Sequence, residues 1–356
     1  MIRDRADGDQ PGRHQAGIEQ GGGEQAAGHF ADRLVAGVLA RQSHVVVGLD
    51  PRLDLLPAHL VNRCRKEFGS TQQAAAMAIF EFNRQIIDAV ADLAPAVKPQ
   101  MAFYEEYGAA GIEALNLTVN YAKRKGLLVI LDGKRNDIGS TAEAYARAYL
   151  GGDGEAAIGS HATQAGGADA VTVNAYLGED GVEPFISYGP EKGTFILVKT
   201  SNPSSGQLQD LFVGPGEHPA QHLRPLYEVV AGLVDQWGRD LVGKSGYSSV
   251  GAVVGATYPE VARRLRDIMP RAYFLVPGFG AQGATAADAA AAFNDDGLGA
   301  LVNVSRAVIY AYRNNPGYNT ANHDGAGEVD FAAAARKAVQ EINRQINHEV
   351  NKKRLK

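Results

Sequence analysis

Eight short apolar runs, most of them rich in β-branched residues, recur along this chain and are separated by helical segments or longer connections. They are "VVVGLD" (45–50), "PAVKPQ" (95–100), "LLVILDGK" (127–134), "AVTVNA" (170–175), "TFILVKT" (194–200), "VGAVVGAT" (250–257), "YFLVPG" (273–278) and "ALVNVS" (300–305). Near-continuous apolar runs suit strands buried on both faces, the condition of a parallel sheet covered by helices. Helical spacing of apolar residues fills 30–42, 72–93, 113–126, 223–238, 259–269 and 286–296. A doubly wound sheet usually stops short of eight strands. The alternation therefore predicts an α/β fold of one domain, a (β/α)8 TIM barrel over residues 29–346. Residues 1–28, rich in Gly, Gln and Asp without periodicity, read as a disordered tail, and 347–356 as a charged C-terminal tail.

Composition excludes several function classes. Hydrophobic residues make up 45% and charged residues 21% of the 356, the balance of a folded globular body. A net charge of -5, with no basic run interleaved with aromatics, gives no reason to expect nucleic-acid binding. Nowhere do about 18 apolar residues run together, so no membrane span is expected, and the first residues lack the apolar core of a secretory signal. Cys64 is the only cysteine, which leaves no intramolecular disulfide and no thiolate cluster for a metal. A reducing, cytoplasmic setting is expected.

Barrels of this kind place their chemistry at the C-terminal strand ends. Those ends carry Asp50, Lys98, Asp132 with Lys134, Asn174, Lys199 to Ser201, Thr257, Pro277 to Gly280, and Ser305 with Arg306. The stretch "LDGKRNDIGST" (131–141) is the most charged. Asp132 and Lys134, two apart on a strand, should share a face directed into the mouth, while Asp137 lies in the loop beyond. Barrel mouths also carry ion pairs that merely neutralise one another. Lys98 and Asp50 should nevertheless converge on the same rim, and alternating charge is unfavourable to desolvate unless each member is paired. Such an array can hold Lys134 protonated as a general acid and set a carboxylate against a substrate anion.

Two motifs resemble nucleotide-binding loops. "GRDLVGKS" (238–245) fits the P-loop pattern, yet it follows a helix and enters a strand, the reverse of the required context. "GFGAQG" (278–283) sits between the seventh strand and a helix, a usual phosphate-binding place in barrels. There Gly278, Gly280 and Gly283 would let the backbone approach a phosphate, with Gln282 donating to it and Arg306 pairing with it. A tight turn beside a surface arginine is the plainer alternative.

With "GLDP" (48–51), "VKPQMAFYE" (97–105), "LDGKRNDIGST", "KTSNPSSGQLQDL" (199–211), "VVGATYPE" (253–260) and "PGFGAQG" (277–283), residues 30 to 345 resemble orotidine 5'-phosphate decarboxylase in its longer bacterial, type 2 form. The resemblance implies a homodimeric barrel that converts orotidine 5'-monophosphate to UMP and CO2 in de novo pyrimidine synthesis, without metal or organic cofactor. It implies that Lys134 donates the proton to C6, that Asp132 lies against the departing carboxylate, and that Lys98 completes the charge network and reaches the ribose. Asp137, with Ile138, is expected to enter the partner subunit's site. Asp50 and Thr141 are expected on ribose hydroxyls, Ser201 on the pyrimidine edge, and Gln282, Arg306 and the Gly280 loop on the phosphate. Residues 202–222 are either a lid over the base or a long loop. The alternatives are a Mg2+-dependent sugar-phosphate lyase on the same barrel and a non-catalytic nucleotide-binding protein.

Overall fold

The computed structural model describes residues 28–151, 167–214, 223–280, 283–314 and 330–355. The expected tail up to residue 27, residues 152–166, residues 215–222 of the candidate lid and Gln282 lie outside the described residues. Strands β1 (Val45–Leu49), β2 (Ala96–Pro99), β3 (Leu128–Arg135), β4 (Ala170–Val173), β5 (Gly193–Lys199), β6 (Ser248–Val254), β7 (Ala272–Val276) and β8 (Ala300–Val304) coincide with the eight apolar runs. They form one closed parallel barrel in the order β1-β8-β7-β6-β5-β4-β3-β2. Its last seam closes where Val45, Val46 and Val47 pair with Val302, Asn303 and Val304.

The longer helices are α1 (Phe30–Arg41), α2 (Ala58–Phe68), α3 (Gln72–Val90), α4 (Gly108–Arg124), α5 (Gly139–Leu150), α6 (Leu226–Gly238), α7 (Pro259–Ile268) and α8 (Phe331–Arg354). Period-two alternation sorts the strand residues into two buried layers. Val45, Val47, Val97, Val129, Leu131 and Val171 belong to the layer that meets the helices. Val46, Ala96, Leu128, Ile130, Ala170 and Phe195 instead form a second cluster with Phe30, Leu34 and Val38 of α1. These three, four residues apart, make one helical stripe, so α1 closes the N-terminal end of the barrel. Two residues further along the same inward rows, the apolar filling gives way to Gly48, Lys98, Asp132 and Thr172.

One element departs from expectation. The helix read over 286–296 runs only Ala286–Ala290, opened by a capping box between Thr285 and Asp288. Beyond it Asn294 donates to the Tyr247 hydroxyl and the Pro270 carbonyl, and Asp296 accepts the Leu298 amide. Such side-chain bonds compete with further helical turns. The C-terminal helix α8 packs a stripe of Ala335, Val339, Ile342 and Ile346 inward and continues through residues 347–354.

The P-loop lookalike joins α6 to β6 at the N-terminal end of the barrel, far along the strands from the mouth. The amides of Lys244 and Ser245 donate to the Asp32 carboxylate of α1 at 3.0 and 2.7 Å. An anion position does form here, and the chain's own aspartate fills it.

Candidate active site

Asp132 is the hub of the mouth. Its Oδ2 accepts from Lys98 Nζ at 2.6 Å and from Gln100 Nε2 at 3.1 Å, and its Oδ1 accepts from Lys134 Nζ at 2.6 Å and Thr172 Oγ1 at 3.0 Å. Asp132 and Lys98 are buried, while the Lys134 side chain is 45% exposed and faces open space above the carboxylate. Burial alone would raise the Asp132 pKa, but Lys98 and Lys134 outweigh it and hold the carboxyl well below the usual range. Burial likewise opposes the Lys98 ammonium, and Asp132 together with Asp50 pushes its pKa above the ordinary lysine value. The buried pair is therefore ionised on both sides, and one half-exposed ammonium stands over it.

Asp132 and Lys134 meet as expected from the sequence, but not by regular alternation. The β3–β4 register shifts between Leu131 and Arg135, and Lys134 takes a left-handed backbone with φ +48°. A non-glycine residue in that region is strained and persists only where its surroundings impose it. Here the Lys134 amide donates to Thr172 Oγ1 at 2.9 Å, which holds the turn. On the other side Gly133 leaves room for Met101, since a Cβ there would lie 2.6 Å from Met101 Sδ and push that side chain aside. Arg135, whose side chain leaves the mouth, pairs with Glu105 and lies over the Tyr145 and Tyr149 rings at 5.5 and 5.2 Å.

Asp137 does not join the cluster. Among the described residues its carboxylate has one partner, the Ile138 amide at 2.9 Å. Ile138 is 51% exposed, and Thr141 is exposed in the first turn of α5. Asp50 stands at the end of β1 with Ser305 Oγ donating to its Oδ2 at 2.5 Å. Ser201 follows β5 and packs so closely on Gly255 that a Cβ there would meet the Ser201 backbone at 3.0 Å. On the far side of the mouth, Gly278, Gly280 and Gly283 have φ of +100°, +69° and +87°. These values favour glycine and turn the chain sharply after β7. Arg306 is exposed at the start of the short helix Arg306–Ile309 that follows β8. The loops after the seventh and eighth strands thus present glycine backbone and a guanidinium, the arrangement that suits a phosphate.

Residues 43–319 match the family model described as orotidine 5'-phosphate decarboxylase / HUMPS family. The chain belongs to this family. Among decarboxylase relatives, proteins named orotidine 5'-phosphate decarboxylase from Caldicellulosiruptor bescii and Rhodopirellula baltica are 43% and 44% identical to it. The first match covers 80% of this chain and 91% of the relative, the second 89% and 98%. The solved structure of Leishmania donovani OMP decarboxylase superposes with a TM-score of 0.63 at 32% identity, over 92% of this chain and 99% of that one.

The decarboxylase-family mouth contains groups that reading the strand ends passed over. Gln100 and Thr172 both bond Asp132, and each sits in register with a residue already singled out, Gln100 two places after Lys98 and Thr172 in an inward position of "AVTVNA". Lys199, already named among the polar strand ends, has a partner that the spacing did not indicate. It is fully buried at the end of β5, its Nζ 2.5 Å from Asp210 Oδ1 and 4.7 Å from the centre of the Tyr258 ring. Gln209 meanwhile bonds Thr200 twice, accepting from its amide at 3.0 Å and donating to its Oγ1 at 2.8 Å. The base of the loop after β5 is therefore clasped beside Ser201. Only the polar strand end hinted at this, because Asp210 lies in a segment without periodicity.

Proposed function

We infer that the protein decarboxylates orotidine 5'-monophosphate to UMP and CO2, the last step of de novo pyrimidine synthesis. The observation that carries this reading is the ionised Asp132 held between two ammonium groups, one buried and fixed, the other exposed to the mouth. The Gly278–Gly280 turn and Arg306 grip the phosphate at one side, which brings the pyrimidine toward Asp132. Remote phosphate binding supplies the energy to hold a substrate carboxylate beside a like charge. The C6–carboxylate bond breaks, CO2 leaves, and the electron pair stays on C6. The Lys134 ammonium stabilises that charge as it develops and passes a proton to C6, after which water reprotonates the amine. Lys98, bonded to Asp132 from below, keeps it ionised and reaches the ribose. Asp50 and Thr141 take the ribose hydroxyls, and Ser201 the pyrimidine edge. By the family resemblance, Gln282 shares in the phosphate contact.

A second set of observations supports a homodimer with a shared site. Asp137 bonds the Ile138 amide and forms no ion pair with its own Lys134, and beside it Ile138, Tyr176 and Leu177 are 51%, 75% and 43% exposed. An apolar patch of this kind around a carboxylate fits a two-fold contact in which Asp137 reaches the neighbouring mouth. The near-full-length match to the Rhodopirellula baltica relative supports the long, type 2 form. The single, unpaired Cys64 supports a cytoplasmic location, and no described helix is long and apolar enough to cross a membrane. Against a Mg2+-dependent lyase stand Lys98 and Lys134, whose ammonium groups already take both oxygens of Asp132.

Turnover by the wild type and by Lys134→Ala, followed as loss of orotate absorbance with a chelator present, tests the reading. The wild type should turn over with chelator, and Lys134→Ala should lose measurable turnover while still binding UMP. An active Lys134→Ala variant would remove the proton-donor role, and loss of wild-type activity in chelator would favour the metal-dependent lyase.

A further inference from the structure

The Asp50 carboxylate is held by residues that follow the phosphate-facing end of the barrel. Its Oδ2 accepts from Ser305 Oγ at 2.5 Å. Its Oδ1 is buried and, among the described residues, has no hydrogen-bond partner. A buried carboxylate oxygen left open in this way is costly unless a ligand donates to it. The Asp50 backbone is fixed as well. Tyr310 OH donates to the Asp50 carbonyl at 3.0 Å and accepts the Arg52 amide at 2.7 Å, so one phenol bridges the turn on both sides of Pro51. Burial pushes that phenol up to about 12, which keeps it a donor, and its ring stacks on Phe82 with centroids 6.0 Å apart.

Room for this arrangement comes from β1. Gly48 occupies an inward position where a Cβ would lie 2.7 Å from Ser305 Cβ. Without a side chain at 48, Ser305 fills the inner rim and reaches Asp50. Ser305 and Tyr310 also bracket the short helix Arg306–Ile309, whose first residue is Arg306. The amides of Val308 and Ile309 donate to the Ser305 carbonyl at 2.9 and 3.0 Å. The segment that carries Arg306 thus holds the aspartate across the seam where β8 pairs with β1.

We propose that Ser305 and Tyr310 are positioning residues for the ribose contact, locking Asp50 so that Oδ1 alone is presented to a ribose hydroxyl. This rests on the reading of Asp50 as a ribose ligand, and the experiment separates the two. The substrates are orotidine 5'-monophosphate and its 2'-deoxy and 3'-deoxy analogues, and the proteins are wild type, Asp50→Ala, Ser305→Ala and Tyr310→Phe. Asp50→Ala identifies the informative analogue, the one on which its loss of kcat/KM is smallest relative to the ribonucleotide. Ser305→Ala and Tyr310→Phe should each lose about tenfold or more in kcat/KM on the ribonucleotide, as expected for a hydrogen bond that fixes a charged group. On the informative analogue they should lose less than about threefold, because the contact they orient is absent from that substrate. If Asp50→Ala loses equally on all three substrates, the ribose role of Asp50 falls and the proposal with it. If Asp50→Ala discriminates while Ser305→Ala and Tyr310→Phe lose equally on all three, the ribose role stands and the positioning role is overturned. Tyr310→Phe keeps the stacked ring, so a general packing defect at Ser305 alone does not decide the outcome.

Discussion

Thr172 Oγ1 donates to Asp132 Oδ1 at 3.0 Å, tying the fourth strand to the carboxylate at the end of the third. The same oxygen accepts the Lys134 amide and so fixes the left-handed turn that brings Lys134 back over Asp132. One hydroxyl thus orients both the carboxylate and the proton donor. Thr172→Val keeps the shape and removes both bonds. It should lower kcat by about tenfold or more and destabilise the fold by about 1–2 kcal/mol. Thr172→Ser should restore most of both, measured by turnover and denaturant unfolding; a Thr172→Val variant with wild-type kcat would show that the turn needs no such support.

Asp137 and Lys134 supply a test of the shared site. Each of Lys134→Ala and Asp137→Ala should be inactive alone. In a mixed dimer, one mouth has an intact Lys134 and receives an intact Asp137 from the other subunit. Unfolding and refolding an equal mixture should therefore recover about a quarter of wild-type activity, as random pairing in a two-fold dimer requires. No recovery in a mixture shown to contain mixed dimers would place Asp137 in its own subunit's chemistry.

The Lys199–Asp210 pair should govern the loop after β5. Lys199 is buried, whereas the Asp210 side chain is 51% exposed, so solvent screens much of the pair. Asp210→Asn should lower global stability by only about 1 kcal/mol. Its larger effect is local: cleavage within residues 202–214 in limited proteolysis should accelerate several-fold over the wild type, about what a loss of 1 kcal/mol in local closure implies. Unchanged cleavage would mean that the Gln209–Thr200 bonds hold the loop unaided.

His44, buried at the entry to β1 beside the Phe293 ring, has a pKa lowered to about 4. Burial is the main cause and Arg354 adds to it, while Asp296 opposes both. The fold therefore binds neutral imidazole, and its stabilisation is complete above the ordinary histidine value near 6.5. It is lost as pH falls from there toward 4. Between pH 7.5 and 5 the chain should lose about 2 kcal/mol from this group, and His44→Gln should lack that part of the slope in urea titrations. Equal slopes for the two proteins would show that other groups carry the acid sensitivity.

Strand positions, and the polar residue at the end of each, were legible along the chain because a doubly covered strand is a purely local pattern of apolar side chains. Lys98, Asp132 and Lys134 could be brought to one rim on that basis, since any parallel barrel gathers its C-terminal ends. The helix over 286–296 failed for the opposite reason, its end being set by bonds that tie Asn294 and Asp296 to the distant Tyr247 and Asn294 to the Pro270 carbonyl.

Contacts between strands far apart in sequence follow no local pattern. The turn at Lys134 depends on Thr172, 38 residues away, and the hold on Asp50 depends on Ser305, 255 residues away. That Asp137 lies beyond the strand was legible in "LDGKRNDIGST", and there its carboxylate bonds the Ile138 amide and not the Asp132 cluster. Local spacing tells which residues reach the mouth, because strand geometry repeats every two residues. Closing the barrel sets which of them meet, because the register between β3 and β4, and the seam between β8 and β1, exist only once all eight strands are paired.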